Sequence, residues 1–303
     1  MLLAILLGVG AGALIPVQTA INSRLSRFLG AILPASLVSF AIGTLGLGVL
    51  VLVSGTSVPW RATAADQPWC VWIGGLCGLA FLTLNIVLMP RIGASATVVL
   101  PLVGQVVGGL VIDLTGAFGT TQRALNPERV LGVVLVVLGA VLVNLQARRA
   151  GAPARSSRAL AVLWLLGVAG GSLGAVQTAV NGRLGSVMGS ALAAALVSFA
   201  VGTLGLVLLN LVTRQRVRPT GRPPAWIWVG GLLGATFVLV NALNAPVLGT
   251  SLTVSVVLLG QIACGLVLDH RGWFGIAPRR ASARRLAGAA LVLLGVVLVR
   301  IAG

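Results

Sequence analysis

The chain has 303 residues, of which 58% are hydrophobic and 8% charged, and its mean hydropathy is +1.09. Soluble domains carry about 25% charged residues, so this composition excludes one and points to a polytopic membrane protein. The formal charge of +17 comes from 21 arginines, lysine being absent; they sit in short segments between apolar runs with no basic helix or aromatic reader, which argues against a nucleic-acid partner.

Runs of about 20 apolar residues suffice to cross some 30 Å of hydrocarbon. Ten can be cut from the chain, in order Leu2 to Asn22, Ile32 to Val53, Trp69 to Met89, Ala94 to Ile112, Val130 to Gln146, Ala159 to Asn181, Ser190 to Val212, Trp226 to Pro246, Thr250 to Leu268 and Leu286 to Ile301. The first resembles the apolar core of a signal peptide. Its counterpart around Leu163 to Gln177 is internal, so a retained span is expected. No soluble domain is left over.

The text of the chain repeats. QTAINSRL at Gln18 to Leu25 returns as QTAVNGRL at Gln177 to Leu184, LVSFAIGTLGL at Leu37 as LVSFAVGTLGL at Leu196, WIGGL at Trp72 as WVGGL at Trp228, and Gly104-Gln105 as Gly260-Gln261. The offset falls from 159 to 156 after the second span, which places a three-residue deletion in the following loop. The expected organisation is a first five-helix repeat at 1–147, a basic cytoplasmic linker at 148–158, and a second five-helix repeat at 159–303. Five is odd, so the second copy enters the membrane from the opposite side. The expected fold is all-α, with ten transmembrane helices in two inverted repeats.

Arginine placement bears on orientation independently, because cytoplasmic loops are enriched in positive charge. One side collects sixteen of the 21: Arg24, Arg27 and Arg91, the linker group, Arg214 to Arg222, and Arg271 to Arg285. The other holds Arg61, Arg123, Arg129, Arg183 and Arg300. The first side is expected to be cytoplasmic and both termini outside. The equivalent loops have diverged as opposite orientations require, one arginine after the second span in the first copy and four in the second.

Depth at about 1.5 Å per residue sorts the polar side chains. Gln105 and Gln261 fall near the middle of the fourth and ninth spans, where a two-fold axis in the membrane plane would bring them together. A buried amide needs a partner, and both a substrate at the repeat interface and a neighbouring helix are open to it. Thr44 and Thr203 are also near mid-membrane; each either bonds a carbonyl one turn back or lines the same site, as do Ser39 and Ser198. Asn85 and Asn241 precede Pro90 and Pro246, where a proline-ended helix leaves backbone groups for an amide or a cavity. These six, Gln105, Gln261, Asn85, Asn241, Thr44 and Thr203, are the candidate substrate-binding residues.

The repeated motif lies close to the far interface in each half. Gln18 and Asn22, like Gln177 and Asn181, share a helix face that Arg24 and Arg183 do not. These residues either anchor a helix end or gate. Asp113 and Asp269 close the fourth and ninth spans and are two of four acids, with Asp66 and Glu128 in loops; coupling to protons or cations needs a membrane carboxylate, and pairing with a nearby arginine is the competing role. His270 has no counterpart, and Cys70, Cys77 and Cys264 have neither metal spacing nor an even framework. No cofactor or metal site is expected, nor an enzyme, because nothing forms a nucleophile–base pair.

QTAxNxRL, the SF-GT segment, and Gly-Gln followed by an Asp and a Phe-Gly, all present twice, resemble the YdcZ family of the drug/metabolite transporter superfamily over essentially the whole chain. Members are five-helix proteins that occur singly, in pairs or fused, and this chain resembles a fused antiparallel pair. The resemblance implies a secondary transporter of the bacterial inner membrane. It would move a small metabolite or drug-like molecule by alternating access, with the third, fourth, eighth and ninth helices near the centre. A passive channel is the alternative. The expected partners are the lipid bilayer and the small-molecule substrate, with the chain a monomer or weak homodimer. Two departures stand: the arginines put the termini outside, unlike many ten-helix relatives, and the membrane glutamate of small multidrug resistance relatives has no equivalent.

Overall fold

A computed structural model describes residues 1–92, 94–120, 122, 124–145, 157–219, 221–248, 250–275 and 282–301. Helices account for nearly all of it: α1 (Leu2–Leu29), α2 (Ile32–Ser54), the short α3 (Trp60–Asp66), α4 (Gly74–Ile92), α5 (Ala94–Thr115), α6 (Pro127–Leu145), α7 (Ser157–Met188), α8 (Ala191–Thr213), α9 (Gly230–Leu248), α10 (Thr250–Arg271) and α11 (Ala283–Ile301). The described residues contain no strand. Most of the expected linker, residues 148–156, lies outside them, while Ser157 and Arg158 already belong to α7.

The punctuation of the two halves matches. Gly30 ends α1 and Gly189 follows α7, both left-handed at φ 70 and φ 64, a conformation that glycine adopts without the steric cost of a Cβ. Gly116 and Gly272 repeat it after α5 and α10. The three-residue deletion falls where the offset located it. α2 and α8 end at equivalent residues, α3 fills the first connection, the described part of the second has no helix, and equivalence resumes at the 3-10 turns Trp69–Trp72 and Ala225–Trp228.

Among the described residues, six helical stretches are long and apolar enough to cross a membrane: Leu2–Leu29, Ile32–Ser54, Gly74–Ile92, Arg158–Met188, Ala191–Thr213 and Ala225–Ala245. Val99–Thr115 and Val256–Leu268 are shorter apolar stretches. The chain is an all-α membrane protein. Two further helices, α6 and α11, open with charged residues, Glu128 and Arg129 in one, Arg284 and Arg285 in the other, and are mainly apolar beyond them. α1 and α7 run past the expected ends at Asn22 and Asn181, so the whole QTAxNxRL motif is helical.

Packing between the halves is reciprocal. α1 packs against α9 and α10, and its counterpart α7 packs against α4 and α5; α2 meets its own counterpart α8, and α6 meets α11. Gly43 of α2 lies against Phe199 while Gly202 of α8 lies against Phe40, so these helices run in opposite directions. Gly139 against Gly288 and Gly295 against Gly132 give α6 and α11 the same antiparallel sense. The core follows this plan. One cluster, with Phe40, Leu47, Leu79, Phe199, Leu206 and Val238, joins α2, α4, α8 and α9; another, with Leu102, Val136, Leu258 and Val292, joins α5, α6, α10 and α11.

Candidate functional site

Glycine positions decide where the repeated motif goes. A Cβ on Gly234 would overlap Gln18 Nε2, and one on Gly230 would overlap Asn22 Oδ1; in the other half the same conflicts join Gly78 to Gln177 Nε2 and Gly74 to Asn181 Oδ1. Each copy of Gln-Thr-Ala-x-Asn therefore lies in the groove of the opposite half's Gly-Gly-x-x-Gly. The middle glycines, Gly75 and Gly231, rest on the carbonyl oxygens of Ser198 and Ser39, so α4 and α9 touch α8 and α2 backbone to backbone. Gln18, Asn22, Gln177 and Asn181 are buried, Asn22 completely.

Burial here comes without satisfaction. Among the described residues, neither amide atom of Asn22 has a hydrogen-bond partner, nor do Asn181 Oδ1, Ser39 Oγ, Ser198 Oγ and Gln261 Nε2. Leaving a buried polar group unpaired costs about 1–3 kcal/mol, so such groups are rare in the absence of a use for them. All six atoms belong to neutral amides or hydroxyls. They form two equivalent sets, one in each half, with Gln261 added.

At the crossing of α2 and α8 the Phe40 and Phe199 rings stack with centroids 4.8 Å apart. Beside them Thr44 Oγ1 and Thr203 Oγ1 lie 2.8 Å from each other, and each also faces the carbonyl one turn back, Phe40 O at 2.9 Å and Phe199 O at 2.8 Å. A hydroxyl has one proton. Only one threonine at a time donates to the other, and the two arrangements are equivalent by the pseudo-symmetry. This is a joint between helices, so the two threonines hold the halves together at this point.

Gln105 and Gln261 are buried, yet no hydrogen bond joins them among the described residues. Gln105 passes Gly174 of α7 beside Phe81, and the adjacent Gly104 and Gly260 rest on the carbonyls of Val168 and Val9. Gly104, Gln105 and Gly260 thus face the first helix of the opposite half, while Leu102, Val106, Leu258 and Ile262 fill the contact between α5 and α10. Asn241 Nδ2 donates to Phe237 O at 2.8 Å, a bond within its own helix, and Asn85 is buried. Asn244, absent from the sequence candidates, is buried and donates to Ala4 O at 2.8 Å, tying α9 to the start of α1. Thr97 and Thr253, another equivalent buried pair, were also missed; duplication in a buried register was the available signal.

The charged candidates separate. Asp113 faces Arg129, with Oδ2 and Nη2 3.6 Å apart, and Arg129 is fully buried at the start of α6. Arg129 also donates from Nη1 to Ala124 O at 3.4 Å. Its counterpart Arg285 is likewise buried, whereas the side chain of Asp269 lies outside the described residues. Arg24 is exposed and lies over the Trp226 ring, 5.7 Å from its centroid; Trp226 in turn meets Phe274 edge-on at 5.4 Å. Arg183 is exposed, donates to Gln67 Oε1 at 3.3 Å, and its guanidinium sits on Gly119. Each motif arginine therefore reaches connections of the opposite half, and neither reaches the buried amides. Among the described residues no group of His, Cys, Asp and Glu is arranged to hold a metal.

Comparison with known proteins adds what geometry leaves open. The family model described as "Putative inner membrane exporter, YdcZ" matches residues 3–142 and again 162–298, one segment in each half. The inner membrane protein YdcZ of Escherichia coli (strain K12) is 30% identical over 136 residues, 45% of this chain and 89% of that protein. A crystal structure of another protein superposes with a TM-score of 0.66 at 16% identity, covering 99% of this chain and 96% of that one, a likeness of fold alone. Twice-matched by one family and built of apolar helices, the chain belongs to the YdcZ family of drug/metabolite-type membrane transporters.

Proposed function

We propose that the protein is a secondary transporter in which ten helices cross the inner membrane as two inverted five-helix halves and carry a small metabolite or drug-like molecule by alternating access. The observation that carries this reading is the reciprocal packing, in which each half's Gln-Thr-Ala-x-Asn lies buried in the other half's glycine groove. Antiparallel contacts of α2 with α8 and α6 with α11 support inversion, and helices of 19 to 22 residues in α5, α6, α10 and α11 are about 28–33 Å long, enough to span. Two equivalent closures, related by a two-fold axis, are what alternate opening to opposite sides requires.

In this reading Gln18, Asn22 and Ser39 close one route, and Gln177, Asn181 and Ser198 close the other. Parting a closure wets its unpaired amides and hydroxyls, which offsets the packing lost. Gln105 and Gln261 line the path of the solute between the two closures. The unpaired atoms of Asn22, Ser39, Asn181 and Ser198 are uncharged, so the closures offer the solute hydrogen bonds to neutral groups. Asp113, held by Arg129, fixes the α5–α6 hairpin. The arginine-rich end faces the cytoplasm and both termini face outward.

The test is solute exchange in proteoliposomes. A metabolite panel is first screened by thermal shift, and any hit is loaded in labelled form. A carrier predicts that unlabelled hit on the opposite side accelerates loss of the label, and that Asn22→Ala or Asn181→Ala abolishes this acceleration. Loss of label indifferent to the opposite side, with measurable current, would instead identify a passive channel.

A further inference from the structure

We propose that one end of the molecule carries a binding site for the phosphate headgroups of anionic lipids, built on the connection between α8 and α9. Four arginines, Arg214, Arg216, Arg218 and Arg222, fall within nine residues there, and all are exposed. The connection is fixed in place: Arg218 N donates to Leu29 O at 2.9 Å, and Gln215 Oε1 accepts from Leu33 N at 3.3 Å, so it lies across the turn between α1 and α2. That turn brings Arg27, also exposed, from the last turn of α1, and Arg24 reaches the same end through Trp226. Arg271, set 5.8 Å from the Trp273 centroid, joins them through the contact of Phe274 with Trp226.

Seven guanidinium groups thus share one end. The chain has only four acids: Asp66 ends α3 and Glu128 lies in the first turn of α6, Asp113 is held by Arg129, and Asp269 alone belongs to an element of this end. Mutual repulsion among exposed cations a few residues apart calls for counter-anions, and the protein does not provide enough of them. The bilayer does. Leu211 and Val212, on the last turn of α8, are 66% and 81% exposed, as lipid-facing residues are, and Arg214 follows immediately. Trp226, Trp228 and Trp273 mark the same level, the ring type that concentrates where headgroups begin. Guanidinium groups bind phosphate with paired N–H donors, and basic residues next to a span attract anionic lipid strongly.

The corresponding connection of the first half carries α3, with one arginine, Arg61, and one acid, Asp66. The site therefore belongs to one end only and makes two otherwise equivalent halves unequal toward the lipid.

Thermal unfolding of the full chain in a neutral detergent decides the matter, with dioleoyl phosphatidylglycerol, dioleoyl phosphatidylcholine or inorganic phosphate added separately. Phosphatidylglycerol is expected to raise Tm by several degrees over phosphatidylcholine, with inorganic phosphate having little effect, and the gain is expected to shrink between about 0.05 M and about 0.5 M salt. Joint replacement Arg214→Gln, Arg216→Gln, Arg218→Gln and Arg222→Gln removes most of the gain, while Arg61→Gln keeps it. Equal stabilisation by the two lipids, an equal effect of inorganic phosphate, or a full gain in the fourfold variant would each overturn the proposal. The comparison on the unaltered protein stands without any variant having to fold.

Discussion

Unpaired atoms at single residues separate stability from transport. Asn22 is completely buried with both amide atoms unpartnered among the described residues, so Asn22→Ala removes a group whose burial is costly. Thermal unfolding is expected to show the variant unchanged or up to about 1 kcal/mol more stable, while solute flux falls at least tenfold. A large loss of stability would mean the amide is structural. The Asp113–Arg129 pair behaves oppositely. Removing one partner leaves a buried charge alone, so Asp113→Asn is expected to cost about 3–5 kcal/mol, and adding Arg129→Met should recover much of it, as read by denaturation of the single and double variants. Arg214 supplies a third case: it takes φ 47 at the end of α8, where the equivalent residue is Gly55 at φ 65. Arg214→Gly is expected to relieve about 1 kcal/mol of backbone strain, seen as a rise in Tm.

Among the elements, α4 and α9 are what the glycines make possible. Gly75 and Gly231 rest on backbone carbonyls that cannot rotate away, whereas Gly74 and Gly230 face amide side chains that can. Gly75→Ala and Gly231→Ala are therefore expected to cost about 1–3 kcal/mol each by overpacking, and more than Gly10→Ala, which meets open space. Equal Tm values for Gly75→Ala and Gly10→Ala would remove the glycine groove from the account. The sequence made the pairing of elements partly legible. Repetition of QTAxNxRL, of Gly-Gln and of the two Thr residues exposed the duplication, and the change in offset located the loop in which α3 stands. What stayed hidden was contact across the halves. Nothing in the local text says that Asn22 meets Gly230, since the partners are about 200 positions apart and their register is set by packing. Arg129 and Arg285 read as loop charges beside apolar runs, and only the fold shows them buried. Gln105, which depth alone sets beside Gln261, lies against Gly174 of α7, a contact that depth does not reveal because it fixes height in the bilayer and not azimuth.

For the whole molecule, the proposed inversion sets the two halves against each other across the membrane, so that one closure faces each side. The equivalence of the two amide sets, the single lipid-binding end and the opposed access routes all depend on that inversion. Equivalent exposed positions Ser57 and Arg216 follow α2 and α8, and inversion puts them on opposite faces. With Cys70, Cys77 and Cys264 replaced by Ala, Ser57→Cys and Arg216→Cys are introduced singly and treated in intact cells with a membrane-impermeant thiol reagent. Inversion predicts labelling of Ser57→Cys in intact cells and of Arg216→Cys only after the membrane is opened; labelling of both from the same side would overturn it.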